Sequence, residues 1–283
     1  MENRSRIAVL MAPSALFMLF LFLLPIGVMA LYSFRLSSFG PQSGIFTLEH
    51  YRSFVGNMAL HRLLWRSIIL AFLVSLYSII LAYPIAYFLA FQAGRARLTL
   101  LTIIIVPAWV SYLLRVLAWK VILGSNGMLS SFLQWVGLTN EAVPVLIYSP
   151  TAVIVTLVYV WIPFVALPIF AALERIDRHL LEAAADLGST RWQAFWRVTF
   201  PLSLPGVMAG FLFVFIPTVG EYVTPALVGG VQGLMYGNLI WSQFLAALNW
   251  PMGSLMSLVM LLVVLIPIFI ASRFVHLSEL AGV

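Results

Sequence analysis

The sequence predicts an all-α, polytopic membrane protein with six transmembrane helices. Hydrophobic residues make up 63% of the chain and charged residues 8%, whereas soluble domains contain about 45–50% and about 25%. Six apolar runs are each long enough to cross about 30 Å of hydrocarbon as a helix. We place the spans near residues 12–34, 67–91, 98–123, 151–173, 205–228 and 253–272. We expect residues 1–283 to form a single transmembrane domain.

Length and turn signals define the first two spans. Arg4 and Arg6 precede the first apolar run, which is longer than the core of a usual signal peptide and has no clear small-residue cleavage site. We therefore interpret it as a spanning helix. Residues 35–66 form a polar connection with Gly40-Pro41 as a turn signal, and the second span follows.

The later connections differ in character. Arg115 and Lys120 lie near the far end of the third span, where long basic side chains can reach the interface. Residues 124–150 form a connection that includes a short surface helix around Phe132. Residues 229–252 contain neither Lys nor Arg and are rich in aromatic residues, so this segment can lie at the interface or dip back into protein without spanning.

The distribution of basic residues favours a cytoplasmic N terminus, because short cytoplasmic loops carry an excess of Lys and Arg. Arg95 and Arg97 occupy the short loop before the third span, whereas residues 229–252 have no such residue. With six spans, both termini and the connection between the fourth and fifth spans then lie in the cytoplasm.

That connection, loop 174–201, is a charged island between two apolar spans. Asp177 is a favoured N-cap residue. Apolar residues then recur at helical spacing at Leu180, Leu181, Ala184 and Leu187. Gly188 suits the left-handed end of a helix, and the segment from Thr190 to Gln193 fits a capping box. The loop is therefore predicted to form two short helices joined by a bend.

Loop 174–201 resembles the EAA loop of ABC importer permeases, in which Glu-Ala-Ala is followed at fixed spacing by a Gly and a Pro. Here Glu182, Ala183, Ala184, Gly188 and Pro201 match. The resemblance implies the type I ABC importer permease (MetI-like) fold, with this loop as a cytoplasmic coupling helix that docks on an ATPase subunit. It assigns ATPase coupling to Glu182, Ala183, Ala184, Asp186 and Gly188. The residues alone also allow a solvated connector in which Arg178 and Glu182 form a surface pair.

Further motifs resemble the spermidine/putrescine subfamily of these permeases, particularly the putrescine-type subunit. They are Tyr83-Pro-Ile-Ala, Val106-Pro-Ala-Trp109, Leu114-Arg115-Val116, Asn126-Gly127, Gln134-Trp-Val-Gly-Leu138 and Phe215-Ile-Pro-Thr-Val-Gly-Glu221. The resemblance implies alternating-access import of polyamines across the bacterial inner membrane. It also implies three partners: a second homologous permease, an ATPase subunit dimer and a periplasmic substrate-binding protein. Related permeases carry opines, phosphonates or iron, so another cargo in the same class stays open.

Several chemistries are not supported by the sequence. It lacks a Gly-x-x-x-x-Gly-Lys-Ser/Thr loop, so we expect no enzymatic activity and no cofactor in this chain, with ATP and Mg held by the partner ATPase subunits. The net charge of +6 is explained by the positive-inside rule, so nucleic acid is not an expected partner. With no cysteine and four scattered histidines, no metal site is expected.

Two other function classes fit the sequence less well. An ion-coupled secondary transporter would place several ionisable residues inside its spans, where only Glu221 is a candidate. An intramembrane protease would need a Ser–His pair or two acidic residues at membrane depth. Gly206 and Gly210 form a Gly-x-x-x-Gly pattern that favours close helix packing, either within the chain or at a subunit interface.

Glu221 is predicted to lie near the outer part of the fifth span and to help a cationic cargo across the membrane. A carboxylate at membrane depth is costly and is expected to face protein or water. Tyr222, Trp109 and Trp161 can offer aromatic faces to an ammonium group, which completes a predicted substrate pathway. The alternatives are that Glu221 pairs with Arg115 or is a helix-end charge, and that the aromatic rings serve packing.

Overall fold

The computed structural model describes the backbone of residues 2–137 and 147–280 and the side chains of residues 11–137 and 147–270. Arg4, Arg6, Leu138, Arg273 and His276 lie outside the residues whose side chains are described. Within the described residues the chain is helical, and its one β-bridge pairs Arg35 with Phe46. Six helical stretches in this part are long and apolar enough to cross a membrane, which confirms the predicted all-α, six-span architecture.

The α-helices of the described residues, numbered in chain order, are α1 Glu2–Ser33, α2 Glu49–Gly56, α3 Met58–Phe91, α4 Arg97–Ile105, α5 Tyr112–Leu123, α6 Met128–Trp135, α7 Pro150–Glu174, α8 Arg178–Asp186, α9 Arg191–Ala194, α10 Phe200–Val219, α11 Gly230–Gly233, α12 Tyr236–Trp241 and α13 Trp250–Leu280. Short 3₁₀ segments occur at Pro41–Gly44, Gly94–Ala96 and Val106–Trp109. Segments of π-helix occur at Phe195–Thr199, Pro225–Gly229 and Ser242–Ala246.

The candidate spans in this structure are Met11–Ser33, Met58–Phe91, Tyr112–Trp135, Pro150–Glu174, Arg191–Val219 and Trp250–Ile270. The fourth agrees with the predicted 151–173 within a residue at each end. The second begins earlier than the predicted 67, because the Asn57 side chain accepts hydrogen bonds from the backbone N–H groups of Ala59 and Leu60, at 3.0 and 3.4 Å. Asn is among the residues preferred at the first position of a helix, because its side-chain oxygen satisfies N–H groups that have no partner within the helix.

The predicted third span, 98–123, is wrong as a continuous helix. The chain leaves α4 at Ile105, passes through the 3₁₀ segment Val106–Trp109, and is extended at Val110 before α5 begins. Pro107 has no N–H to donate and so interrupts the helical ladder. The apolar stretch long enough to span combines α5 with α6, the short helix predicted around Phe132.

The predicted end of the fifth span at residue 228 is also wrong. α10 ends at Val219, with Gly220 as its C-cap, and its apolar stretch instead extends backwards through α9 to Arg191. The residues after Gly220 begin a separate helical segment. The predicted span therefore covers most of α10 and the separate helical segment that follows it.

We expected one domain, and the contacts divide the chain into two compact units: Met1–Leu60 with Leu239–Val263, and His61–Asn238 with Val264–Val283. In the first unit, Ser33 and Tyr51 are joined through their hydroxyl groups at 2.7 Å. The Ser38 hydroxyl donates to the Leu248 carbonyl at 2.6 Å and accepts from the Trp250 N–H at 2.8 Å. These bonds fasten the connection after α1 to the turn that precedes α13.

The second unit contains a buried core shared by α3, α5, α7 and α10. Its fully buried members include Val74, Ala86, Val116, Leu157, Ile169, Leu173 and Val214. Helix α10 packs closely on α7 through the Gly-x-x-x-Gly pattern. A Cβ on Gly206 would lie 2.5 Å from both the Pro168 carbonyl oxygen and the Ala172 Cβ, and one on Gly210 would lie 3.2 Å from Val165. The pattern therefore serves packing within the chain.

Replacing Gly206 by Ala should destabilise the protein by about 1–3 kcal/mol, because the added methyl group forces α10 away from α7. Thermal unfolding of the purified transporter complex would measure the loss. Gly56→Ala is the matched control, since a Cβ there meets nothing within 4 Å. Equal melting temperatures for the Gly206→Ala and Gly56→Ala proteins would contradict the close α7–α10 contact.

Candidate functional site

Loop 174–201 begins with a capped helix. The Asp177 carboxylate accepts a hydrogen bond from the His179 backbone N–H at 3.0 Å and starts α8. One turn on, Glu182 Oε2 lies 3.1 Å from His179 Nδ1, with both side chains exposed. The Arg178–Glu182 pair of the alternative, solvated-connector interpretation does not occur among the described contacts, where Glu182 pairs with His179 instead.

The bend after α8 has the hydrogen bonds of a Schellman motif. The Ser189 N–H donates to the Ala184 carbonyl at 3.0 Å, and the Gly188 N–H donates to the Ala185 carbonyl at 2.9 Å. Gly188 has φ +80°, a left-handed conformation that costs residues with a Cβ free energy. Gly188 therefore has a definite conformational reason to be glycine.

A reciprocal capping box starts the second helix. The Thr190 hydroxyl accepts from the Gln193 N–H at 3.3 Å, and the Gln193 side chain accepts from the Thr190 N–H at 2.9 Å. From α9 the chain continues through the π segment Phe195–Thr199 directly into α10. The structure thus contains the two short helices and the bend predicted from the sequence.

The outer surface of α8 is accessible along its length. Glu182, Ala183, Asp186 and Gly188 are exposed, and Ala184 is half-buried. Sequence reasoning missed Leu187 as a surface residue, although its side chain is 87% exposed.

The inner end of the loop is anchored to the bundle. Leu173 is fully buried and Ile176 nearly so. Arg97, the first residue of α4, forms an ion pair with Glu174, the last residue of α7. Both side chains are partly exposed, so this pair adds modestly to stability. Its geometric consequence is that the start of α4 is joined to the base of the loop.

Glu221, the principal pathway candidate, lies beyond the end of α10 and not inside a spanning helix. Its Oε1 accepts hydrogen bonds from the backbone N–H groups of Val223 and Thr224, at 2.8 and 3.1 Å. The half-buried carboxylate therefore caps the next helical segment, as an N-cap Asp or Asn would. This is the helix-end alternative that the sequence left open.

Arg115 is not the ion-pair partner of Glu221 among the described contacts. Its Nη1 donates to the Val160 carbonyl at 3.3 Å, and its Nε is buried without a partner. Arg115 also lines a mostly apolar cavity of about 300 Å³ beside the break between α4 and α5, with Trp119 and Tyr159 on its walls. The guanidinium group therefore sits among helices of the bundle.

Side chains replace the helical ladder around the end of α10. Asn238 donates to the Tyr222 carbonyl at 2.7 Å and accepts from the Met235 N–H at 2.9 Å. The Tyr112 hydroxyl and the Thr224 hydroxyl are 2.5 Å apart. A Cβ on Gly237 would collide with the Gly220 carbonyl oxygen. The segment from Gly220 onward is thus held in an irregular conformation from several sides.

The predicted aromatic partners of Glu221 do not gather around it. Trp109 is 83% exposed on its 3₁₀ segment. Trp161 packs against Phe164 and Phe213, with ring centroids 5.6 and 6.5 Å apart. Tyr222 is exposed beside Glu221. In the described part of the chain, no ring contact or hydrogen bond joins either tryptophan to Glu221, so the structure brings together only Glu221 and Tyr222.

Comparisons with known proteins agree with this architecture. The profile of the family described as "Binding-protein-dependent transport system inner membrane component" matches residues 82–279. The spermidine/putrescine transport system permease protein PotB of Escherichia coli strain K12 is 37% identical over 219 residues, covering 77% of this chain and 79% of PotB. PotB of Haemophilus influenzae is 35% identical over 227 residues, covering 80% and 79%.

Solved structures share the fold. A bacterial alginate ABC transporter in complex with an alginate pentasaccharide-bound periplasmic protein matches with a TM-score of 0.74 at 17% identity, covering 98% of this chain and 95% of that chain. An inward-facing structure of the MetNI methionine ABC transporter matches with a TM-score of 0.57 at 20% identity, covering 77% and 94%.

Replacing Glu221 by Ala should lower stability by about 0.5–2 kcal/mol, the usual cost of losing a helix cap. Glu221→Gln should cost less, because its amide oxygen can still accept from Val223 and Thr224. Melting temperatures of the two purified variants would distinguish the contribution of the hydrogen-bonded cap from that of the negative charge. If both variants had the melting temperature of the wild type, the Glu221 carboxylate would not act as a stabilising helix cap.

Proposed function

Because the chain belongs to the family of binding-protein-dependent transport system inner membrane components and is a transmembrane permease subunit of an ABC importer, we propose that its loop 174–201 couples ATP hydrolysis on partner subunits to the import of polyamines. The observation that carries the coupling role is the doubly capped, exposed α8–α9 turn. A loop that flexed independently could not bias a two-state bundle, whereas this one is fixed at both caps.

Partner ATPase subunits are the proposed occupants of the exposed face of α8. Glu182, Asp186 and Leu187 offer two carboxylates and an apolar side chain on one short element. Ala183 and Ala184 are small enough to permit close approach of another backbone. This face therefore suits a groove that accepts an apolar tip and carries basic groups at its rim.

The wider assembly follows from the same proposal. ATP and Mg²⁺ belong to an ATPase dimer, a second homologous permease completes the pathway, and a periplasmic binding protein delivers cargo. The alginate transporter structure, which includes a periplasmic protein, supports the last of these. Loop 174–201 and residues 92–97 each carry basic residues, which supports a cytoplasmic position for these two segments. The two termini are then on the same side of the inner membrane.

Polyamines such as putrescine or spermidine are the proposed cargo. The support is the likeness to two permeases named for spermidine/putrescine transport, together with a half-buried carboxylate at the irregular end of α10. One oxygen of Glu221 is used as a cap, which fixes the carboxylate in place while its charge remains available to an ammonium group. The exposed ring of Tyr222 adds a face for cation–π attraction. Trp109 and Trp161 are proposed to line the pathway at other depths.

Gly188 variants test the coupling role. Gly188→Val forces a β-branched residue into the left-handed region at a cost of about 1–2 kcal/mol, so uptake per ATP should fall roughly tenfold. Gly188→Asn should retain most coupling, because Asn tolerates this conformation. Uptake and ATP hydrolysis would be measured together in proteoliposomes that hold the full complex. Equal coupling in the two variants would exclude the bend as a transmitter.

Glu221→Gln tests the cationic cargo while keeping the helix cap. A unit charge at about 4 Å in a hydrated cavity is worth about 1 kcal/mol, so putrescine uptake below saturation should fall about fivefold. Assembly and ATP hydrolysis serve as controls and should be unchanged. Wild-type uptake across all putrescine concentrations would remove Glu221 from the pathway.

A further inference from the structure

The second half of loop 174–201 carries a cluster of aromatic rings around Phe195. The Phe195 ring centroid lies 5.8 Å from Trp192 in a stacked arrangement, 5.1 Å from Trp196 and 6.1 Å from Phe200. Trp192 and Trp196 are well exposed and Phe195 is half-buried. Phe195 is therefore the least exposed of these three rings, and Trp192 and Trp196 pack against it.

The same ring reaches across to α3. Phe195 meets Tyr83 edge-on at 5.7 Å and Tyr87 at 6.1 Å. Tyr83 is buried in the core, and its hydroxyl lies 2.9 Å from the Ser203 hydroxyl of α10. In the described part of the chain, one further ring contact joins α3 to the loop. It lies between Tyr83 and Phe200, with ring centroids 6.0 Å apart. Phe195 thus makes most of the aromatic connection between the two elements.

The local backbone sets this position. Phe195 opens the π segment Phe195–Thr199, and the Phe200 N–H donates to the Phe195 carbonyl across that wider turn. A π-type turn inserts an extra residue into a helix and is frequent at functional sites. It also changes the direction in which side chains leave the helix on either side. Phe195, the first residue of the segment, thereby contacts Phe200, the residue that follows it, at 6.1 Å.

We propose that Phe195 is a positioning residue that passes the displacement of loop 174–201 to α3. Phe195 contacts the close-packed core through Tyr83, and close-packed side chains transmit displacement because they cannot be compressed past one another. A push on α8 and α9 therefore moves Phe195, and Phe195 moves the Tyr83–Tyr87 end of α3 together with α10. This inference rests on the coupling role proposed for the loop, and it adds the route by which the movement enters the bundle.

Phe195→Leu tests this role because it keeps an apolar side chain while removing the ring contacts. Uptake per ATP hydrolysed by the reconstituted complex should fall by at least about fivefold, the low end of an ordinary coupling free energy, while assembly and ATP hydrolysis persist. Phe211→Leu is the matched control. Phe211 also joins α10 to α3, through Phe72 at 5.9 Å, but it does not contact the loop's rings in the described structure. Its coupling should be that of the wild type.

Tyr87→Leu removes one of the two ring contacts between Phe195 and α3, so it should lower coupling by a smaller factor, and it tests the same route if Phe195→Leu does not assemble. When both assemble, the double variant should lose little more than Phe195→Leu alone, because Tyr87 acts through Phe195. Wild-type coupling in Phe195→Leu, or equal loss in Phe211→Leu, would overturn the inference. Gly188→Val separates the coupling role of the loop from the route through Phe195. If Gly188→Val uncouples transport while Phe195→Leu does not, the loop's role stands and the route through Phe195 fails. If Gly188→Val leaves coupling unchanged, the loop's role itself fails.

Discussion

Backbone hydrogen bonding is the constraint on which this structure depends. Hydrocarbon offers no water to replace a lost backbone partner, so a chain that crosses it must be helical or must satisfy its free groups with side chains. Where the helices stop, this protein supplies such side chains. Glu221 accepts from two N–H groups after α10, Asn238 joins the Tyr222 carbonyl to the Met235 N–H, and Ser67 accepts from the Tyr236 N–H at 2.6 Å. Glu221, the principal pathway candidate, thus also maintains the fold.

Local signals explain why loop 174–201 could be predicted from the sequence. Asp177, Gly188 and the pair Thr190 and Gln193 act on groups within a few residues of themselves, and their structures match expectation closely. Cap chemistry of this kind does not depend on the rest of the fold. Composition likewise suffices for six spans, because a long apolar run has few other stable states in a membrane.

Interruptions and long-range contacts could not be predicted in the same way. The break at Pro107 and the end of α10 at Val219 fall inside apolar runs, where every position suits a spanning helix by composition. Whether a proline kinks or breaks such a helix depends on what neighbouring helices provide. The meeting of Phe195 with Tyr83 depends on tertiary packing of residues far apart in sequence. The separation of Trp109 and Trp161 from Glu221 has the same cause.

A single cysteine at Leu187 tests the central claim, that loop 174–201 is a cytoplasmic element docked on an ATPase subunit. The chain has no cysteine of its own, and Leu187 is exposed, so Leu187→Cys introduces one accessible thiol. This thiol should resist a membrane-impermeant maleimide in right-side-out vesicles, react in inside-out vesicles, and cross-link to the ATPase subunit in the assembled complex. Labelling from the outside, with no cross-link to the ATPase, would contradict it.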